Sequence, residues 1–157
     1  MATNTLVQYL ETSQVTGLGV SVPVGAGAMN RSQTETFLAG GAITEGDWLA
    51  LDTSKTGADK ALYVVEASGV ATVGQANVIG VALASVAAEE KVLVCVAGYC
   101  AKASVATAAA GAALVGPIGT AGQAALEAPG TTSGKLCGVA LAADVANFAE
   151  VLVIKTF

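Results

Sequence analysis

At 157 residues the chain is long enough for one domain with a single core, yet only 12% of it is charged, about half the share of an ordinary soluble domain. Hydrophobic residues make up 54% and mean hydropathy is +0.66, so either a membrane or other protein chains must cover much of the surface. The longest uncharged stretch, Ala103 to Leu126, contains Gly111, Gly116, Pro117, Gly119 and Gly122, which excludes a spanning helix, and a net charge of −5 without any basic cluster excludes a nucleic-acid binder.

Residues 1–44 form the first region. Glu11, Arg31 and Glu35 are its charges, and Gly17, Gly19, Gly25, Gly27, Gly40 and Gly41 interrupt it. Arg31 is the first basic residue, so no basic segment precedes an apolar core, and the sequence reads as a protein that stays where it is made. Leu6, Val7, Tyr9 and Leu10 line one turn of an amphipathic helix. Gly19 to Val24 alternates like a strand, with Pro23 demoting it to an edge. The region reads as an extended arm that keeps Leu6, Tyr9, Leu10, Val22, Val24 and Phe37 for contact with a partner.

From residue 45 the pattern changes to short strands with turn signals about every dozen residues, which predicts an all-β sandwich or barrel over 45–157. Trp48 to Leu51 and Ala61 to Glu66 flank a polar loop, Thr53 to Lys60. Val70 to Val73 reads as a short extended piece, and strands follow over 78–84 and 91–97. The second half repeats the plan. Ala110 to Val115 stands where Glu45 to Ala50 stood, the loop Gly116 to Gly122 replaces Thr53 to Lys60, and Gln123 to Glu127 replaces Ala61 to Glu66. Each half then carries the phrase Gly-Val-Ala-Leu-Ala, at Gly80–Ala84 and at Gly138–Ala142. Matching Val92-Leu93-Val94 to Val151-Leu152-Val153 gives the second copy one extra residue before its closing strand. Two similar strand units, about 45–97 and 110–155, are therefore expected, with the glycine of each phrase allowing a bulge or a close backbone approach. Ser104 to Ala110 has the alanine content for a turn or two of helix, ended by Gly111.

Chemistry is thinly represented. The chain has no histidine, the commonest general base and metal ligand. Cys95, Cys100 and Cys137 are odd in number and lack zinc spacing; Cys95 and Cys137 sit in apolar runs and read as small core residues. Glu45, Asp47 and Asp52 lie near Trp48, the pairing a glycosidase would use, but acidic strand ends facing water account for them. Gly116 to Gly122 lacks the Gly-Lys-Ser/Thr ending of a phosphate loop. Neither enzyme activity nor a cofactor, metal or small-molecule substrate is expected. Trp48 and Tyr63 read as aromatic residues for a core or a subunit interface.

The order of the motifs carries more. Ile79 to Ala84, an acidic loop at Glu89-Glu90, the strand from Val92, Gly98-Tyr99-Cys100-Ala101-Lys102-Ala103 and the second phrase from Cys137 resemble, in that order, the capsid cement (head decoration) proteins of tailed bacteriophages. The resemblance covers roughly Glu45 to Phe157, and the forty or so residues before it depart from the family pattern. It implies a compact β-barrel or sandwich, often a homotrimer, made in the host cytoplasm. Such a protein sits on the outer capsid surface of the virion and stabilises the shell by bridging neighbouring major capsid proteins. It implies no nucleic-acid or membrane partner. The alternative is a virion fibre or adhesin module that binds glycans. Under either reading the contact residues fall in the arm, the Thr53 to Lys60 loop, Trp48 and Tyr63.

Overall fold

The computed structural model describes residues 32–68, 77–127 and 135–155. Leu6, Tyr9, Leu10, Val22 and Val24, and with them the helical turn and edge strand expected there, lie outside the described residues, as does the extended piece expected over 70–73.

The protein is nearly all β. Its strands are β1 (Gln33–Ala39), β2 (Trp48–Leu51), β3 (Tyr63–Glu66), β4 (Val78–Ala82), β5 (Lys91–Ser104), β6 (Ala113–Val115), β7 (Ala125–Leu126), β8 (Leu136–Ala140) and β9 (Phe148–Val153). One sheet runs β1-β3-β2-β4-β5-β9-β8-β6-β7, and β1 also pairs with β5. That extra pairing closes β1, β3, β2, β4 and the first half of β5 into a five-stranded barrel. A 3-10 helix, Gly57–Ala61, occupies the polar loop before β3. Ser104 begins no helix: it pairs with Phe148 at the end of β5, because its backbone is already committed to the sheet.

The second half rebuilds the same pairings. Leu49 faces Gly80 in the barrel, and Leu114 faces Gly138. Val81 faces Cys95, and Val139 faces Leu152. Both β2 and β6 carry a register shift beside the phrase glycine, between Leu49 and Ala50 and between Leu114 and Val115. Gly46 and Gly111 open the two units with positive φ, +93° and +84°. The parallel pairing of β1 with β3 survives in the second unit as a single bridge, Val105 to Ala124. The strand equivalent to β1 is the second half of β5, which pairs with β9.

Two further features of the chain differ from the sequence expectation. The barrel already includes Gln33–Ala39, inside the stretch expected to be arm as far as residue 44, because this strand is gripped on both sides, by β3 and by β5. The second copy is also one residue shorter, not longer, between phrase and closing strand. Ala82 faces Val94 and Ala140 faces Val151, so Val151 corresponds to Val94 and not to Val92. Side chains alternate with a period of two, so sliding Val-Leu-Val by two residues leaves every residue on its face and the sequence pattern unchanged.

The core is in two parts. Leu49, Val64, Ile79, Val92, Val94 and Val96 fill the closed barrel. The second unit is lined by smaller residues: where the barrel has Ile43, Val64, Ile79 and Val92, it has Ala108, Ala124, Cys137 and Ala149. The lost volume is replaced from outside. Trp48 points away from the barrel interior, is fully buried, and shares one cluster with these residues, together with Val81 and Cys95 of the barrel's outer face. The outer face of the first unit is thus the filling of the second.

Candidate functional site

The residues nominated from sequence do not converge. Phe37 is half-buried on β1 and packs against the barrel core. Trp48 has no exposed surface at all; its indole N–H donates to the Ser104 carbonyl at 3.0 Å, and a side chain at Gly138 would begin 3.0 Å from its ring edge. It is therefore a joint between the two units and not a contact residue, nor can it serve as a sugar platform. Its four-residue strand is buried on both sides, a pattern that periodicity does not separate from an interface strand.

Tyr63 is half-exposed. Its hydroxyl donates to Glu89 Oε2 at 2.8 Å, and Lys55 Nζ stands 4.0 Å from the ring centroid and 3.7 Å from Glu89 Oε1. Glu89 holds positive φ, +65°, at the β4–β5 turn, and Asn147, at +66°, takes the corresponding turn in the second unit. This cluster ties the Thr53 to Lys60 loop to the acidic loop that the sequence singled out. Leu62, next to Tyr63, is 52% exposed.

The carboxylates around Trp48 hold turns. Asp47 Oδ2 accepts from the Thr44 backbone N–H, Asp52 Oδ1 accepts from the Ser54 N–H and hydroxyl, and Glu45 pairs with Lys102 at 2.9 Å. Among the described residues no group of three or more His, Cys, Asp or Glu is placed to hold a metal. The three cysteines are free and buried, and burial pushes the Cys137 thiol up to about 12. Thiols held neutral in this way behave as small apolar residues.

Asp47 and Glu66 both approach Gly122, since a Cβ there would meet Glu66 Oε1 at 2.7 Å and Asp47 Oδ1 at 2.9 Å. Burial raises both carboxyls above their ordinary values, and Asp47 raises Glu66 further by like charge. A raised folded-state value means that the folded protein binds protons more tightly than the unfolded chain. The ionised pair then costs stability at neutral pH, and the cost falls away as pH drops through the folded-state values toward the unfolded ones, near 3.8 and 4.5. Glu66→Gln is expected to raise Tm at pH 7, on the order of 1 °C after solvent screening, with the gain vanishing toward pH 4. Thermal melts across that range check it; an unchanged or lower Tm at pH 7 contradicts it.

A second surface has no signature in the sequence. Val139 faces Leu152, Leu152 faces Tyr99 and Val139 faces Ala113, making an uncharged row across β5, β9, β8 and β6. Leu136, Leu141 and Leu152 on this side are 37%, 45% and 42% exposed. A shallow cleft of about 270 Å³ adjoins it, lined by Ala101, Ala142, Val145, Phe148 and the carboxylate-bearing Glu150, which is exposed on the same face of β9 as Leu152.

No family model matches the sequence, and no curated protein matches it. Among solved structures, the chain is similar to the N base of the head fiber gp8.5 of bacteriophage phi29. The two are 16% identical, the match covers 78% of this chain and 94% of that one, and the TM-score is 0.47.

Proposed function

We propose that this is a structural, non-catalytic virion protein of a tailed bacteriophage. It is made in the host cytoplasm, assembles as a homotrimer, and binds the outer surface of the icosahedral shell, where it bridges neighbouring major capsid proteins. The observation that carries the reading is the ordered motif set resembling capsid cement proteins, which falls on two register-matched strand units. Surface composition supports it. A chain with seven basic and twelve acidic residues leaves Leu62 and Leu93 on one unit and Leu136, Leu141, Val145 and Leu152 on the other well exposed. Apolar surface on this scale, depleted in charge, is characteristic of chains that work between other chains. The glycan-binding alternative loses its platform with the burial of Trp48.

The arm is assigned to the shell. An extended segment can add a strand to an open sheet edge of a capsid protein, where backbone hydrogen bonds supply affinity. The cut must respect β1: deletion through residue 36 would remove half a barrel strand, whereas deletion of residues 1–31 leaves β1 whole. The 1–31 deletion is expected to fold, by circular dichroism, and to bind empty shells at least about tenfold more weakly than the full chain, a loss of roughly 1.4 kcal/mol. Equal binding by both forms would refute the role of the arm. Particles assembled without the protein should release DNA at lower temperature, and full-length protein that never sediments with shells would refute the function.

A further inference from the structure

β3 grips β1 only at its C-terminal end, where Leu38 faces Tyr63 and Ala39 faces Val64. Upstream, Gln33–Phe37 is paired along one edge, to β5. The Ala39 N–H donates to Glu90 on the β5 side and the Leu38 N–H to Leu62 on the β3 side. By strand alternation, the N–H and C=O groups of Thr34 and Thr36 point away from β5. Among the described residues no backbone group meets them, and both threonines are exposed. An open row of backbone donors and acceptors is a template for one more strand.

The second unit shows what this seam accepts. Val105, bridged to Ala124, stands where Ala39 stands, and Ser104 stands where Leu38 stands. The Leu38 N–H reaches its parallel neighbour directly, at the Leu62 carbonyl, 2.9 Å away. The Ser104 N–H donates instead to the Gly46 carbonyl at 2.8 Å, and the Trp48 N–H donates at 2.9 Å to Gly122, the counterpart of Leu62. Residues 46–48 thus run between the two strands as an inserted extended segment.

We propose that residues 19–24 of the same chain form a further strand, antiparallel to β1 along the open edge at Thr34 and Thr36. Position and chemistry both select this segment. Residues 1–31 lead directly into β1, so the arm is rooted beside the edge. With Val24 opposite Thr34, residues 25–33, including Gly25 and Gly27, are left to reverse the chain. Pro23 has no N–H, so the segment can bond β1 only through the alternate set Val20, Val22 and Val24. Directly opposed residues share a face of the sheet. The valines therefore lie beside Thr34 and Thr36 on the barrel's outer side, where Leu93, opposite Thr36, is 44% exposed. Glu35, between the threonines, projects to the other face and meets Lys155 at 3.9 Å. Residues 1–18 of the arm remain to reach the shell. The added strand belongs to the free protein, so it can fail while shell binding stands.

Amide hydrogen exchange of the full chain and of the 1–31 deletion tests the proposal. In the full chain Thr34 and Thr36 are expected to be protected along with Glu35 and Phe37. In the deletion, Thr34 and Thr36 alone should exchange at least about tenfold faster. Free exchange of the two threonine amides in the full chain, or equal acceleration of all four, would overturn it. Proline substitution at neighbouring positions gives a second readout. Val22→Pro removes an N–H aimed at β1 and should expose Thr36 as the deletion does. Ser21→Pro alters a nitrogen that faces outward and should leave protection within about twofold of the full chain. Equal effects of the two prolines would refute the pairing. Protection should not depend on protein concentration; its loss on dilution would give the strand to a second copy and overturn the assignment to the same chain.

Discussion

Gly80→Ala is expected to prevent the protein from folding stably. A methyl group at Gly80 would fall inside the van der Waals envelope of the Cys95 carbonyl oxygen, and 2.9 Å from Val94 Cγ1. The oxygen belongs to the backbone of β5, which is held on one flank by β4 and on the other by β1, so it has nowhere to retreat. Overpacking against movable side chains costs about 1–3 kcal/mol; against a clamped backbone the cost is expected at roughly 3 kcal/mol or more, a large fraction of a small domain's total stability. The matching change in the second unit, Gly138→Ala, should be milder. Its methyl would meet the Leu152 carbonyl oxygen and the Trp48 ring edge, each at 3.0 Å, and an indole can shift where a strand cannot. Urea melts of the two variants check the order. Equal losses, or a larger loss at Gly138, would show that the strand geometry is not the constraint.

Trp48→Ala is expected to cost about 3–5 kcal/mol, the range for emptying a buried aromatic site. The loss should be uneven. Trp48 fills space that Ala108, Ala124, Cys137 and Ala149 leave open in the second unit, whereas the barrel interior is packed by its own side chains. Hydrogen exchange should therefore accelerate in β8 and β9 well before β3. Uniform acceleration would contradict the assignment of Trp48 to the second core. Trp48→Phe separates volume from polarity. It removes the bond to the Ser104 carbonyl, but that oxygen still accepts from the Ala124 N–H at 3.0 Å. No buried acceptor is orphaned, and the hydrogen-bond share of the loss should stay near 1 kcal/mol. Because Trp48 and Gly138 are in contact, the pair Trp48→Phe with Gly138→Ala should cost less than the sum of the two single changes.

Most of the architecture was legible in the sequence because it was written twice. A five-residue identity marked β4 and β8, and its glycines marked the two close approaches that the backbone makes there. What stayed hidden was hidden for physical reasons. β1 reads Gln-Thr-Glu-Thr-Phe-Leu-Ala, mostly exposed along one edge, so its apolar signal is confined to the end near Phe37 and Ala39; its threonines and phenylalanine were the available hint. The closing strand of the second unit was misaligned by two residues because a two-residue slide is silent in a period-two pattern. The sequence left Trp48 open between a core and a subunit interface because its partner cavity is made by residues sixty or more positions away that are conspicuous only for being small. The exposed row on β8 and β9 could not be found from sequence at all. Val139 and Val81 occupy equivalent positions in identical phrases, and only the stacking of one unit on the other buries Val81 and leaves Val139 open.

β5 couples the two units mechanically. Lys91–Ser104 is one unbroken strand of 14 residues, roughly 45 Å of extended chain, and it is a stave of the barrel over its first half and of the second unit over its second. At the crossing, Gly98 takes φ +89°. The two units therefore have no linker about which to swing, and tension applied to one is carried into the other along a single covalent backbone. A pair of modules strung on a tether would yield one at a time; units sharing a stave bear load together, and should give way in one event.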